Sequence, residues 1–250
     1  TETEEREGKR FNKKTNRLIS ACVPMHVFGH ACDIKEISKI CSEHNIPLIE
    51  DAAEAIGSYS DNKHLGTFGQ IGMLSFNGNK TITCGGGGAL ITDDESLAQK
   101  ARHLSTTARI REGFEFIHDA IGYNYRLTNV NAAIGCAQLE RLEEFIKVKR
   151  HMAKAYEAFI SDLDGLQFMT EPQNTKSNYW FNTVKMANRK SRDELLERAQ
   201  KNNIQCRPVW KLMPDMPMYK SCEHDGYANA SELYERLVNI PSSANAILNK

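Results

Sequence analysis

No apolar run in the sequence approaches the roughly 20 residues that a membrane-spanning helix needs. The opening "TETEEREGKRFNKKTNR" is too polar for a secretory leader, so the chain reads as cytoplasmic. Charge of one sign is missing as well. Thirty-two basic residues balance thirty-two acidic ones, so no net field favours nucleic acid or a membrane surface, and any ligand has to be held by a local site. Disulfide and metal frameworks lack their signatures. The seven cysteines, Cys22, Cys32, Cys41, Cys84, Cys136, Cys206 and Cys222, form no C-x-x-C pair, and their odd number argues against a closed disulfide set. The eight histidines show no ligand spacing against them, so no metal site is expected.

What is present is alternation. At 40 % hydrophobic content, 250 residues can bury a core in one large domain or two modest ones. "LISACVPMHVF" (18–28) reads as a strand. Asp33 followed by Glu36 reads as a carboxylate version of a capping box, opening a helix over 34–44 with Ile34, Ile37 and Cys41 on one face. Asn45 suits the left-handed residue that ends such a helix, Pro47 prevents its continuation, and "PLIED" (47–51) follows as a short buried strand. "IGMLSF" (71–76) and "GALITDD" (88–94) are further strands, with "ESLAQKARHL" as the next helix. This is an α/β pattern with a largely parallel sheet flanked by helices. A charged stretch running straight into a strand with few neighbours suggests the downstream part of a longer protein.

Beyond residue 127 the texture changes. Leu139, Leu142 and Ile146 fall at helical spacing among charges, predicting one or two long amphipathic helices. Then come a strand in "NYWFNTVKM" (178–186), a helix opened by a Ser191–Glu194 capping box, a strand in "IQCRPVW" (204–210) and a helix over "ANASELYERLVN" (228–239). The expected organisation is a large domain over 1–145 and a small α+β domain over 146–250.

Four consecutive glycines, Gly85 to Gly88, stand close after Lys80. They make neither phosphate motif: Asn79 separates Gly78 from Lys80, so no P-loop is formed, and no G-x-G-x-x-G can be counted from them. A tight backbone turn into the strand "ALIT" is the favoured reading, with direct ligand contact by the glycines as the alternative. Lys80 follows one strand and Asp51 ends another, at the carboxyl edge where sites in open α/β sheets gather. A lysine and a carboxylate so placed serve equally as an ion pair or as the two groups a pyridoxal phosphate site needs. In such a site the lysine forms a Schiff base with the aldehyde, and the acid keeps the pyridine nitrogen protonated.

"EDAAEAIGS", "GTFGQIGMLSFNGNKTITCGGGGALITDD" and "IGYNYRLTNVNAAIGCAQLERL", with "PMHVFGHACD", "RPVWKLMPDMPMY" and "LVNIPSS" around them, resemble the fold-type-I, pyridoxal-phosphate-dependent sugar aminotransferases of the DegT/StrS group along nearly the full sequence. "SFNGNK", "GYNYRLTN" and "RPVWKL" are similar to the branch that aminates nucleotide-linked 4-keto-6-deoxy sugars of bacillosamine or legionaminic type. The resemblance implies that Lys80 is the Schiff-base lysine and proton shuttle, and that Asp51 faces the pyridine nitrogen. By the same likeness Ala53 packs under the ring and Glu54 stands beside the ring hydroxyl. Relatives usually carry glutamine or histidine at that place, and a carboxylate next to a phenolate-like oxygen is repelled unless one of them holds a proton. A plain helix-surface glutamate is the other reading of Glu54.

Ser75 matches a hydroxyl on the cofactor phosphate, although alone it reads as a buried strand serine. Asn124 matches the asparagine that reaches the phosphate of a neighbouring subunit's cofactor, which implies a homodimer with shared sites. Arg126 matches a donor-carboxylate site, because a guanidinium fork suits bidentate recognition, and equally reads as a surface arginine. His26 and His30 read as structural. Trp180 and Trp210 stay unassigned.

The implied reaction passes an amino group from glutamate through the cofactor to the keto carbon of a nucleotide-linked sugar, for surface polysaccharide or glycan building blocks. Lysine at position 80 sets aside the sugar 3-dehydratases of the same fold, which carry histidine there. A regulatory or scaffold protein on this fold, or an inactive fragment, are the alternatives. The sugar, its nucleotide and the stereochemistry are not encoded in any motif.

Overall fold

The computed structural model describes residues 2–110, 113–224 and 226–244. In chain order the elements are β1 (Thr3–Arg6), β2 (Lys9–Asn12), α1 (Ile34–Glu43), β3 (Ile49–Asp51), β4 (Tyr59–Ser60), β5 (Lys63–His64), β6 (Ile71–Ser75), β7 (Gly88–Ile91), α2 (Glu95–Ser105), β8 (Arg109–Ile110) and β9 (Ile117–His118). They continue with α3 (Asn129–Glu140), α4 (Leu142–Ile160), β10 (Leu166–Phe168), β11 (Thr175–Lys176), β12 (Asn182–Met186), α5 (Arg189–Lys201), β13 (Arg207–Pro208), α6 (Ala228–Arg236) and β14 (Leu237–Ile240). The chain folds as two units, one of residues 1–146 with 172–178, the other of 147–171 with 179–250. No described helix is long and apolar enough to cross a membrane.

In the first unit, β3 and β6 pair in parallel, Ile49 opposite Ile71 and Asp51 opposite Met73. The expected strand at 18–28 is not continuous. Pro24 has no N–H to give a ladder, and the segment's backbone pairs with residues 48–51 through isolated parallel bridges, Cys22 with Leu48 and Met25 with Asp51. It then turns through a short 3-10 helix at Val27–Gly29.

β7 pairs antiparallel to β6, Gly72 opposite Ile91 and Ser75 opposite Gly88. The sheet is therefore mixed rather than largely parallel in its described part. The residues between β6 and β7 hold no crossover helix. Phe76 N–H donates to Gly87 O at 2.9 Å and Cys84 N–H to Phe76 O at 3.1 Å, so the link folds back on the strand it leaves.

α1 lays Ile34 and Cys41 into a core with Ala31, Leu48, Ala52, Ala55 and Leu65, and Ile37 packs at its edge. Its capping box is not formed. Asp33 makes no side-chain cap bond, and the first free amide, that of Ile34, donates to Cys32 O instead at 2.6 Å. The helix ends as read, with Asn45 at φ 52°. An antiparallel hairpin of β1 and β2 was not expected from the sequence. Its two-residue turn places Glu7 and Gly8 at φ 51° and 73°, the geometry of a type I′ turn.

The short sheet β11–β4–β5 brings residues 172–178 back to the first unit. There Asn178 Nδ2 donates to Glu54 O at 2.8 Å and to Ile56 O at 2.9 Å. Ser58 and Ser177 hydroxyls both donate to Gly29 O at 2.9 Å. These bonds pin the loop after β3.

The second unit has an antiparallel sheet in the order β10–β12–β14–β13. Its core gathers Ala153, Ile160, Phe168, Tyr179, Val184, Met186 and Val238. Two sequence expectations shift here. α5 starts at Arg189, capped by Asn188 Oδ1 accepting from Ser191 N–H at 3.0 Å, so Ser191 sits inside the first turn rather than at the cap. The helix expected over 228–239 stops at Arg236, and Leu237–Ile240 becomes β14 between β12 and β13 with Val238 fully buried. Sheet burial of Val and Ile overrides the helical reading there.

Candidate active site

Parallel pairing delivers Asp51 and Ser75 to the same edge, since each is the last residue of its strand. Past Ser75 the chain turns, Lys80 N–H donating to Asn77 O at 3.0 Å. Asp51 Oδ1 accepts the N–H of Ala53 at 3.1 Å, which fixes the carboxylate over the start of the next loop. Ser75 Oγ accepts from Asn77 N–H at 3.3 Å, a local bond of the kind that strand-end serines make.

Glu54 lies in a turn, not on a helix surface, and its side chain is only 8 % exposed. Oε2 accepts the N–H of Phe28 at 2.7 Å, and Oε1 stands 3.6 Å from Lys80 Nζ, with the lysine side chain itself 13 % exposed. Burial pushes the Glu54 carboxyl above the ordinary carboxylate value, the Phe28 N–H and the Lys80 charge oppose this, and Asp51 adds to it. The structure thus brings together Asp51, Ala53, Glu54 and Lys80.

The glycine run serves turns, as read. Gly85 and Gly87 stand at φ 87° and 89°. A Cβ on Gly88 would lie 2.3 Å from Leu74 O, and one on Gly87 2.7 Å from Leu127 Cδ1.

Asn124 and Arg126 are held elsewhere in the first unit. Their segment zips antiparallel to 104–107, with Tyr123 N–H donating to Leu104 O at 2.7 Å and Tyr125 N–H to Ser105 O at 3.0 Å. Two residues apart on extended backbone, both look to one side. With Thr106, Thr107, Arg109 and Gly113 they line a cavity of about 510 Å³ whose walls include none of Asp51, Glu54, Ser75 or Lys80. Arg109 went unremarked in the sequence; its guanidinium stacks 3.8 Å from the Phe116 ring centroid.

Sequence reasoning also missed Glu50. It is fully buried against fully buried His26, Oε2 to Nε2 at 3.0 Å. Its oxygens also accept the N–H groups of Gly66 at 2.9 Å, Phe68 at 2.5 Å and Gly69 at 2.7 Å. Burial alone would raise this carboxyl, but the His26 bond and the Gly69 and Gly66 amides outweigh it and hold the group below its ordinary value. His26 is structural, as read, and its partner is a carboxylate that tethers the 66–69 loop beside β3. Strand alternation in "PLIED" was the available signal, because it turns Glu50 away from the face of Asp51.

Among the described residues, no group of three or more His, Cys, Asp or Glu could hold a metal ion. At this sheet edge the chain offers an amine and two carboxylates, Lys80, Asp51 and Glu54.

Comparison with known proteins agrees with this chemistry. The profile of the DegT/DnrJ/EryC1/StrS aminotransferase family matches residues 8–247. GDP-perosamine synthase of Vibrio cholerae is 36 % identical over 233 residues, covering 92 % of this chain and 63 % of that protein. The solved structure of the aminotransferase TlmJ from Streptoalloteichus hindustanus matches with a TM-score of 0.84 at 30 % identity, over 90 % of this chain and 61 % of that one. DesI, solved in the presence of its TDP-sugar product, matches with a TM-score of 0.81 at 26 % identity, over 91 % and 58 %. The chain spans less than two thirds of the length of the curated relatives it matches. Pyridoxal phosphate is the cofactor of this group, and the chain belongs to the DegT/DnrJ/EryC1/StrS aminotransferase family.

Proposed function

We propose that this chain carries the reacting lysine of an aminotransferase that moves an amino group from glutamate to the keto carbon of a nucleotide-linked 4-keto-6-deoxy sugar. One observation carries the reading: Asp51 ends β3, Lys80 follows β6, the two strands are parallel neighbours, and Lys80 is kept from solvent beside Glu54.

The residues fit pyridoxal phosphate in kind. A largely buried amine can receive its aldehyde, and a strand-end carboxylate with an oxygen fixed by a backbone amide can hold a pyridine proton. When bound, the cofactor supplies an aldehyde and an electron-accepting ring. The chain's own groups do the rest. Lys80 Nζ tethers the cofactor and then moves a proton at the substrate carbon. Asp51 keeps a positive charge on the ring nitrogen, Ala53 leaves room for the ring, and Ser75 binds the phosphate. The buried loop 52–58, pinned by Asn178, helps exclude water.

The substrate class is supported by the names of relatives, a synthase of a GDP-linked sugar and an enzyme solved with a TDP-sugar product. The unit of residues 1–146 with 172–178 is assigned as the cofactor-binding part, in place of the 1–145 expected, and the unit of 147–171 with 179–250 as the small C-terminal domain, in place of 146–250. A homodimer with shared sites is supported by α3, which buries none of its residues although Val130, Ile134 and Leu139 are apolar. In that assembly Asn124 serves the neighbour's cofactor phosphate and Arg126 the carboxylate of glutamate.

The test is direct. Added pyridoxal phosphate should turn the wild-type chain yellow and leave Lys80→Ala colourless. Mass spectrometry after incubation with glutamate and a panel of UDP-, GDP- and dTDP-linked keto sugars should reveal an aminated sugar. A colourless wild type, or products unchanged across the panel, defeats the proposal.

A further inference from the structure

Asn77–Gly78 is the one Asn-Gly step in the sequence, and it falls in the turn that carries the chain from β6 to Lys80. Residues 77–79 are all exposed. Asn77 O accepts the N–H of Lys80 at 3.0 Å and so closes that turn. The Asn77 side chain is loosely held, Nδ2 donating to Asn79 Oδ1 at 3.4 Å, the long limit of a hydrogen bond. Among the described residues the Gly78 N–H has no hydrogen-bond partner, and a Cβ added at Gly78 would meet nothing within 4 Å.

The backbone nitrogen that follows an asparagine can attack its side-chain amide. Folds prevent this by tying the nitrogen into a hydrogen bond, or by placing a bulky side chain where the five-membered ring would close. Neither protection operates at Asn77. Both operate at Asn79, because the next residue is Lys80, whose N–H is spent on Asn77 O and whose side chain is largely buried.

We propose that Asn77–Gly78 is a site of spontaneous modification, at which asparagine becomes isoaspartate through a cyclic imide, and that the change disables the turn under Lys80. The atoms balance. Gly78 N bonds to Asn77 Cγ, the Cγ–Nδ2 bond breaks, and ammonia leaves with the proton from Gly78 N. Water then adds to the backbone carbonyl carbon of Asn77, whose bond to Gly78 N breaks. Nothing is oxidised or reduced, and water is the only co-reactant. The chain now runs through Cγ, one methylene longer, and the carbonyl that accepted from Lys80 N–H has become a free carboxylate outside the main chain. Added length and added charge both alter where Lys80 Nζ can stand. The modification is independent of any role for Lys80; its consequence rests on reading Lys80 as the cofactor-bearing lysine.

Mass spectrometry of the folded chain after incubation in mildly alkaline buffer tests the first half. The expected result is that tryptic peptide 64–80 gains the mass difference between an amide and an acid, gains more in water labelled with heavy oxygen, and becomes a substrate for an isoaspartate methyltransferase. Gly78→Ala, for which the fold has room and no left-handed backbone to satisfy, should slow the gain about tenfold, an added barrier of about 1.4 kcal/mol. An unchanged wild-type peptide, a gain located at Asn79, or an equal rate in Gly78→Ala overturns the site. If Gly78→Ala does not fold, judged by circular dichroism, Asn77→Gln replaces it, and an undiminished gain there has the same meaning.

The second half is read by titrating the isoaspartyl fraction, separated by ion exchange, with pyridoxal phosphate beside unmodified chain. The modified fraction should need about tenfold more cofactor to reach half its colour. Equal colouring of the two overturns the consequence and leaves the modification site standing. Unmodified chain that stays colourless overturns the lysine assignment, and the consequence with it, while the mass result still decides the site.

Discussion

His26 and Glu50 meet at 3.0 Å with neither side chain exposed, one residue before the strand-end Asp51. The pair and its three loop amides lock the flank of β3. Removing one partner leaves the other uncompensated, so His26→Leu and Glu50→Gln should each destabilise the chain by about 3–5 kcal/mol in urea unfolding at neutral pH. The pH dependence has a definite sign. Glu50 holds its proton less tightly folded than unfolded, so its contribution is complete above the ordinary carboxylate range and is lost as pH falls through that range and below. Wild type should lose stability there faster than Glu50→Gln.

Asp51→Asn should retain cofactor binding through Lys80 while lowering kcat by about 10²–10³, the usual cost of one well-placed electrostatic group. Absorbance titration with pyridoxal phosphate and single-turnover rates separate the two effects. An unchanged kcat would remove Asp51 from the reaction.

Gly88→Ala places a methyl 2.3 Å from Leu74 O. Backbone cannot yield cheaply, and a loss of about 1–3 kcal/mol in thermal unfolding is expected. Gly86→Ala, whose Cβ would meet nothing within 4 Å, is the control and should cost less than about 1 kcal/mol.

Lys149 in the second unit donates to Trp180 O at 3.2 Å and Ser242 O at 2.6 Å. Burial lowers its pKa to about 8. The folded chain therefore releases this proton before the unfolded chain does. Stability should rise between about pH 8 and the ordinary lysine value, by up to about 3 kcal/mol, and Lys149→Met should lack the rise. Denaturant midpoints across that window are the measurement.

Much of this was legible in the residues because the relevant patterns are local. The Ile34, Ile37 and Cys41 face, the left-handed Asn45 and the turning glycines all depend on neighbours within a few positions. The remainder depends on partners far along the chain. The β1–β2 hairpin joins "TEER" to "KRFN", whose polar faces offer no apolar period to read. Leu237–Ile240 becomes a central strand only because β12 and β13 flank it. Glu54 left a surface reading open because Phe28 and Asn178, which bury and fix it, lie 26 and 124 positions away.

Asn178 also bears on how the chain can be divided. Residues 172–178 belong to the first unit although both their flanks belong to the second, so the polypeptide leaves the first unit, returns to it and leaves again. A product ending at Ile146 would keep Lys80 and Asp51 but lack the amide that braces Glu54 O and Ile56 O. Such a truncated protein should hold the 52–58 loop loosely, and adding back residues 172–178 as a free peptide should tighten it.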